Sequence, residues 1–176
     1  MTVTKFIFAA LGCALVAAPA AAQAGGTIGS DAAACNSNDG PAIRVNVTGL
    51  KDRTGRLKLE LYPATKDDFL KDDHDLEREG KTFRRVWADM PASGPVALCI
   101  KAPHPGTYAL FFTHDRDGKN KFNFWKDGAG VPSNDKLGRS KPDVDEAEIS
   151  VGTGITVANI RAQYLRGLSG FGPLKN

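Results

Sequence analysis

The 176-residue chain is 41% hydrophobic, 24% charged and 8% aromatic, with 19 glycines and 10 prolines, a balance that fits a globular protein and excludes disordered, collagen-like and coiled-coil chains. Lys and Arg number 23 against 20 Asp and Glu, a net charge of +3. The basic residues form no block, so no nucleic acid partner is expected, and the length suits one domain.

Residues 1–24 hold one cation, Lys5, then an almost wholly apolar run over residues 6–16, a break at Pro19 and the small-residue end Ala22-Gln23-Ala24. This is the pattern of a secretory signal peptide, with cleavage near Ala24 and a periplasmic or secreted product. The run is shorter than the ~20 residues that cross a bilayer, and no later stretch approaches that length, so no transmembrane segment is expected. Gly12 before Cys13 is the small residue of a lipoprotein signal, but the apolar stretch ahead of it is too short. Cleavage removes Cys13 and leaves Cys35 and Cys99. In an oxidising compartment such an even pair reads as a disulfide. The alternative is that Cys99, inside the apolar run 96–100, is a buried free thiol.

Residues 25–40 are small, polar and without period, and read as a flexible leader pinned at Cys35. From there Ile43, Val45 and Val47 alternate with Arg44, Asn46 and Thr48, the period-two pattern of a strand with one face on a core and one in water. Leu57, Leu59 and Leu61 repeat it against Arg56, Lys58 and Glu60. The polar connection 49–55, with a glycine at each end, makes the two an antiparallel hairpin. Pro63 stops the second strand, and residues 64–80 form a charged, solvated excursion with one short helix capped by Thr65 and anchored by Phe69 and Leu70.

Further strands are expected at 82–87, 96–101 and 107–113. The third is apolar on both faces, so it belongs at the centre of a sheet. A last pair, 147–151 and 155–163, is joined by Gly152-Thr153-Gly154. About seven short strands with hardly any helix imply an all-β fold, an antiparallel β-sandwich over residues 41–166. Residues 167–176 form a flexible, Gly-rich tail.

The stretch following the central strand is the richest in chemistry. From His114 to Gly128, oxygen-bearing side chains recur every two or three positions around Gly118. That pattern suits a hard cation such as Ca2+, which takes about six to eight oxygens. Asp115, Asp117, Asn120 and Asn123 are the candidate ligands, and His114, Gly118 and Asp127 complete the loop of interest. The spacing departs from an EF-hand, because Gly118 is fourth counting from Asp115 as the first position and no glutamate closes the loop. Asx and glycine residues also build such turns with no ion.

His114 beside Asp115 is the candidate general base of a small periplasmic hydrolase. No nucleophile motif accompanies it, and His74 and His104 share no metal-ligand spacing with it. Trp87, Phe122, Phe124 and Trp125 are either a surface on which a sugar could stack or plugs of core and loop.

The run Gly106-Thr107-Tyr108-Ala109-Leu110, then His114-Asp115 with Asp117-Gly118-Lys119 and Asn123, then Gly130-Val131-Pro132-Ser133, and Lys141-Pro142-Asp143-Val144-Asp145-Glu146-Ala147 resembles the uncharacterised DUF2141 family over residues 43–165. The resemblance implies an exported bacterial sandwich domain related to immunoglobulin-like or transthyretin-like modules, with no established activity. The family's N-x-N-G portion is shortened or shifted here. Asn123 replaces an aspartate, which predicts weaker cation affinity, and Val144 replaces an aromatic residue. Together these readings give an exported, non-enzymatic binding or accessory domain whose partner is an extracytoplasmic protein or a small ligand. Ca2+ is the one candidate cofactor, and the hydrolase built on His114 and Asp115 is the alternative.

Overall fold

A computed structural model of the chain describes Met1 and residues 26–175. The signal-peptide reading, with Cys13, falls outside the described residues apart from Met1 itself. Alternation in β1 (Ala42–Thr48) buries Ile43, Val45 and Val47, and β2 (Arg56–Pro63) buries Leu57, Leu59 and Leu61. These two apolar rows belong to one core, joined by Leu98 and Ile100 of β4 (Val96–Lys101) and by Leu110 and Phe112 of β5 (Gly106–Asp115). Each such side chain, once fully buried, contributes about 1.5–3 kcal/mol.

Two sheets enclose this core. The smaller has the order β4-β1-β8, with β8 (Ile155–Arg161) parallel to β1 and β4 antiparallel to it. The larger runs β10-β9-β6-β5-β2-β3, and β7 (Glu148–Val151) also pairs with β5. Its other members are β3 (Arg84–Asp89), β6 (Gly128–Gly130), β9 (Gln163–Leu165) and β10 (Phe171–Pro173). The fold is an all-β sandwich, and the doubly apolar β5 lies inside the larger sheet as its sequence requires.

The expected hairpin between β1 and β2 does not form. β1 is flanked by β4 and β8, β2 by β3 and β5, and residues 49–55 cross from one sheet to the other. Two strands with identical alternation bury their apolar rows equally well by facing each other across a core or by lying side by side, so the pattern alone leaves the choice open. Gly55 fixes the crossover: its φ is +72°, and an added Cβ would overlap the carbonyl oxygen of Asp115. Likewise, Gly152-Thr153-Gly154 connects β7 in the larger sheet to β8 in the smaller.

The charged face of β2 is not in water. Lys58 is 7% exposed and Glu60 3%. A second apolar cluster covers the outer face of the larger sheet, with Tyr62 and Phe111 from the sheet beneath Phe69, Leu76, Leu137 and Phe171. Residues 64–80 therefore form a cover rather than a solvated excursion. Their helix, α2 (Asp73–Arg78), begins after Asp72, whose side chain accepts from His74 N, and it is anchored by the fully buried Leu76. Thr65 caps no helix; its hydroxyl donates to Asp68 at 2.7 Å.

The described segments 26–40 and 167–175 carry more structure than their composition suggests. Residues 25–40 include α1 (Ala32–Ser37), held by the Cys35–Cys99 disulfide, while Asp31 accepts from Lys101 N at 2.8 Å and from Arg84 at 2.9 Å. In the tail, β10 pairs with β9, and Phe171 is buried and exchanges backbone hydrogen bonds with Gly138. Scattered long-range ties hold these segments, and such ties leave no periodicity to read. Among the described residues, no helix is long and apolar enough to cross a membrane.

Candidate functional site

Successive side chains of a strand leave opposite faces, and this decides the fate of the proposed His114–Asp115 pair. Leu110, Phe112 and His114 point between the sheets; Phe111, Thr113 and Asp115 point outward. His114 is fully buried, with Nε2 2.8 Å from the Thr54 carbonyl and Nδ1 2.7 Å from Tyr164 Oη. A carbonyl only accepts, so Nε2 carries the proton and Nδ1 accepts from the tyrosine. Desolvation holds the imidazole pKa below its ordinary value. Nearby, Arg116 grips Asp52 through Nε at 2.9 Å and also through Nη2, and holds the Asp52 pKa down at about 2. These contacts brace the crossover 49–55 against the end of β5.

On the outward side, Asp115, Asp117 and Asp127 each bring a carboxylate oxygen to within 4.8 Å of the others. Most of their oxygens are engaged by donors of the same loop. Asp127 accepts from Arg116 N at 2.9 Å and Asn123 N at 2.7 Å, and Asp117 from Asn123 Nδ2 at 3.0 Å and Lys119 N at 3.3 Å. The Asn123 amide holds the Asp117 pKa below its ordinary value. Asp115 Oδ2 accepts from Asn120 N at 3.0 Å, whereas Asp115 Oδ1, on a residue 2% exposed, has no hydrogen-bond partner among the described residues. Gly118 turns the loop at φ +66°.

The four sequence candidates thus divide by role. Asp115 and Asp117 enter the acidic group; Asn120 and Asn123 act as donors to it, with Asn120 Oδ1 taken by Arg56 and Asn123 Oδ1 by Trp125 N. Asp127, from the wider loop, supplies the third carboxylate.

The same loop walls a cavity of about 470 Å³ on the outer face of the larger sheet. Lys58, Glu60 and Thr113 form its floor, and Phe111, Phe122, Phe124 and Phe171 its apolar sides. Phe122 and Phe124 stack on Phe171 at 5.9 and 5.1 Å, and Asn123 between them is the residue bonded to Asp117 and Asp127. The other two aromatics do not line the cavity: Trp87 lies beneath Arg56 at 4.7 Å and Lys58 at 5.4 Å, and Trp125 is 80% exposed against Phe124. The alternation of β2 concealed this floor, because a charged face normally signals water. The available signal was β5, whose apolar outer face demands a cover.

Residues 45–159, well over half the chain, match the family described as "Uncharacterized protein conserved in bacteria (DUF2141)". The chain belongs to the DUF2141 family. No curated protein and no solved structure matches it. In this DUF2141 chain the matched span contains β2, β5 and the whole loop 116–127, hence the floor of the cavity and three of its four phenylalanine walls.

Proposed function

We propose that the protein is an exported, non-enzymatic binding domain that holds a small ligand in the cavity over the larger sheet. The observation carrying this reading is the cavity itself. Its volume of about 470 Å³ lies in the usual range for small-molecule sites, and it combines aromatic sides with a few buried polar groups at its base. Export rests on the leader-like residues 1–24 and agrees with the Cys35–Cys99 disulfide. The hydrolase alternative finds no support in this geometry, since His114 and Asp115 leave opposite faces of β5 and both imidazole nitrogens are engaged.

The test is uptake of phenylnaphthylamine, a neutral fluorescent reporter of apolar sites, by the purified protein. Saturable binding of one equivalent is expected, and Ala129→Trp, which fills the cavity from β6, should abolish it. Absence of saturable uptake by the unaltered protein would overturn the reading.

A second reading concerns the acidic group. The orphaned Asp115 Oδ1, beside Asp117 and Asp127, favours a Ca2+ ion that ties the loop and so holds the cavity wall. Thermal melting with calcium and with chelator tests it.

A further inference from the structure

Resting on the cavity as the binding site, we propose that its ligand is an anionic amphiphile, whose head is received by Lys58 and Thr113 and whose apolar body lies between the phenylalanines. Lys58 and Thr113 are register partners across the β2–β5 pair, so their side chains stand next to each other on the outward face. Thr113 is 1% exposed and its hydroxyl has no hydrogen-bond partner among the described residues. The Lys58 ammonium has three donors, yet its one oxygen partner among the described residues is Glu60 Oε2, at 3.0 Å.

Glu60 does not compete for an incoming cation. Its other oxygen accepts from Arg85 Nε at 2.8 Å, so both its oxygens are engaged by cations, and Arg85 also reaches Asp73 at 2.7 Å. The floor is therefore balanced in charge, but it offers donors in excess: the Thr113 hydroxyl and the remaining protons of the Lys58 ammonium. At the mouth, exposed Arg139 and Lys141 add two more cations, and neither has an ion-pair partner among the described residues. A neutral apolar molecule would fill the walls but leave the buried hydroxyl and the remaining ammonium donors without an acceptor, and a cation would be repelled at the mouth. A carboxylate or other anionic head fits both, through charge-assisted hydrogen bonds. The four phenylalanines then accept an acyl chain or an aromatic ring.

The experiment is displacement of the phenylnaphthylamine reporter by decanoate, decanol and decyltrimethylammonium, each below its micelle-forming concentration. Decanoate is expected to displace the reporter at least about tenfold more tightly than the other two, as loss of a charged hydrogen bond implies. Thr113→Val should narrow that preference about tenfold. The same variant should melt at an equal or higher temperature, because it removes a hydroxyl that the empty cavity leaves unpaired. Lys58→Met is the second variant, with the same narrowing expected. Displacement by decanol as tight as by decanoate, with the reporter still bound at one equivalent, would overturn the anionic class and leave the cavity reading standing. Failure of the reporter to bind would overturn the cavity reading itself. An undiminished preference for decanoate in both variants would overturn the assignment of the head to the floor.

Discussion

Tyr164 Oη bridges two elements: it donates to His114 Nδ1 at 2.7 Å and accepts from Lys51 N at 3.0 Å, joining β9, β5 and the crossover 49–55 through one hydroxyl. Gly128 makes room for this ring, since an added Cβ there would lie 2.5 Å from the Tyr164 Cε1. Tyr164→Phe keeps the ring and deletes the bridge, leaving a buried imidazole nitrogen and a backbone N–H unpaired. The expected cost is about 1–3 kcal/mol, read from chemical denaturation. A midpoint equal to that of the parent would show that the hydroxyl is not needed to fix the crossover.

His114 also sets a pH dependence. Burial lowers its pKa in the folded protein from the ordinary value of 6.5, so below that pH the unfolded chain takes up a proton that the folded one refuses. Stability from this group is fully present above about pH 6.5 and declines as pH falls toward the depressed folded value. Melting temperature should drop over this window, and His114→Gln should flatten that part of the curve. A slope unchanged in the variant would assign the dependence to other groups.

Much of the sandwich was legible because period-two alternation reports burial directly: the inward rows of β1 and β2, and the central place of β5, follow from their residues. Pairing was less legible. Alternation states which side of a strand is apolar and not which strand lies beside it, so β1 and β2 looked like a hairpin while belonging to opposite sheets. The floor of the cavity was hidden for a related reason. Lys58 and Glu60 are buried as an ion pair beneath residues that lie outside their own strand, among them Leu70, Phe122, Phe124 and Phe171. In the loop, the acids were readable as a group. Which oxygens the backbone had already taken depends on turn geometry that residue types do not specify.

The disulfide tethers α1 to β4 across a sequence separation of 64 residues. Closing a loop of that length restricts the unfolded chain and is expected to contribute about 4 kcal/mol. The paired variant Cys35→Ala/Cys99→Ala should therefore fold with markedly lower stability in denaturant titration. The double replacement avoids leaving one thiol free beside the buried Ala34 and Ala42. A loss well under about 1 kcal/mol would indicate that the unfolded chain is already restricted in this region.

Asp115, Asp117 and Asp127 stand close enough to repel one another, and five of their six oxygens are stabilised by donors within the loop. The sixth, Asp115 Oδ1, is the natural first contact for a divalent ion. At 1 mM calcium, a site of about 10 μM affinity would raise stability by about 2.7 kcal/mol, visible as a higher melting temperature than in chelator. Asp115→Asn should abolish the difference by removing the charge at that contact. Asn123, which bonds both Asp117 and Asp127, sits between Phe122 and Phe124, so bound calcium should also tighten reporter uptake in the cavity. Identical melting curves in calcium and chelator would remove the ion from the loop and leave its hydrogen bonds as the sole support of the wall.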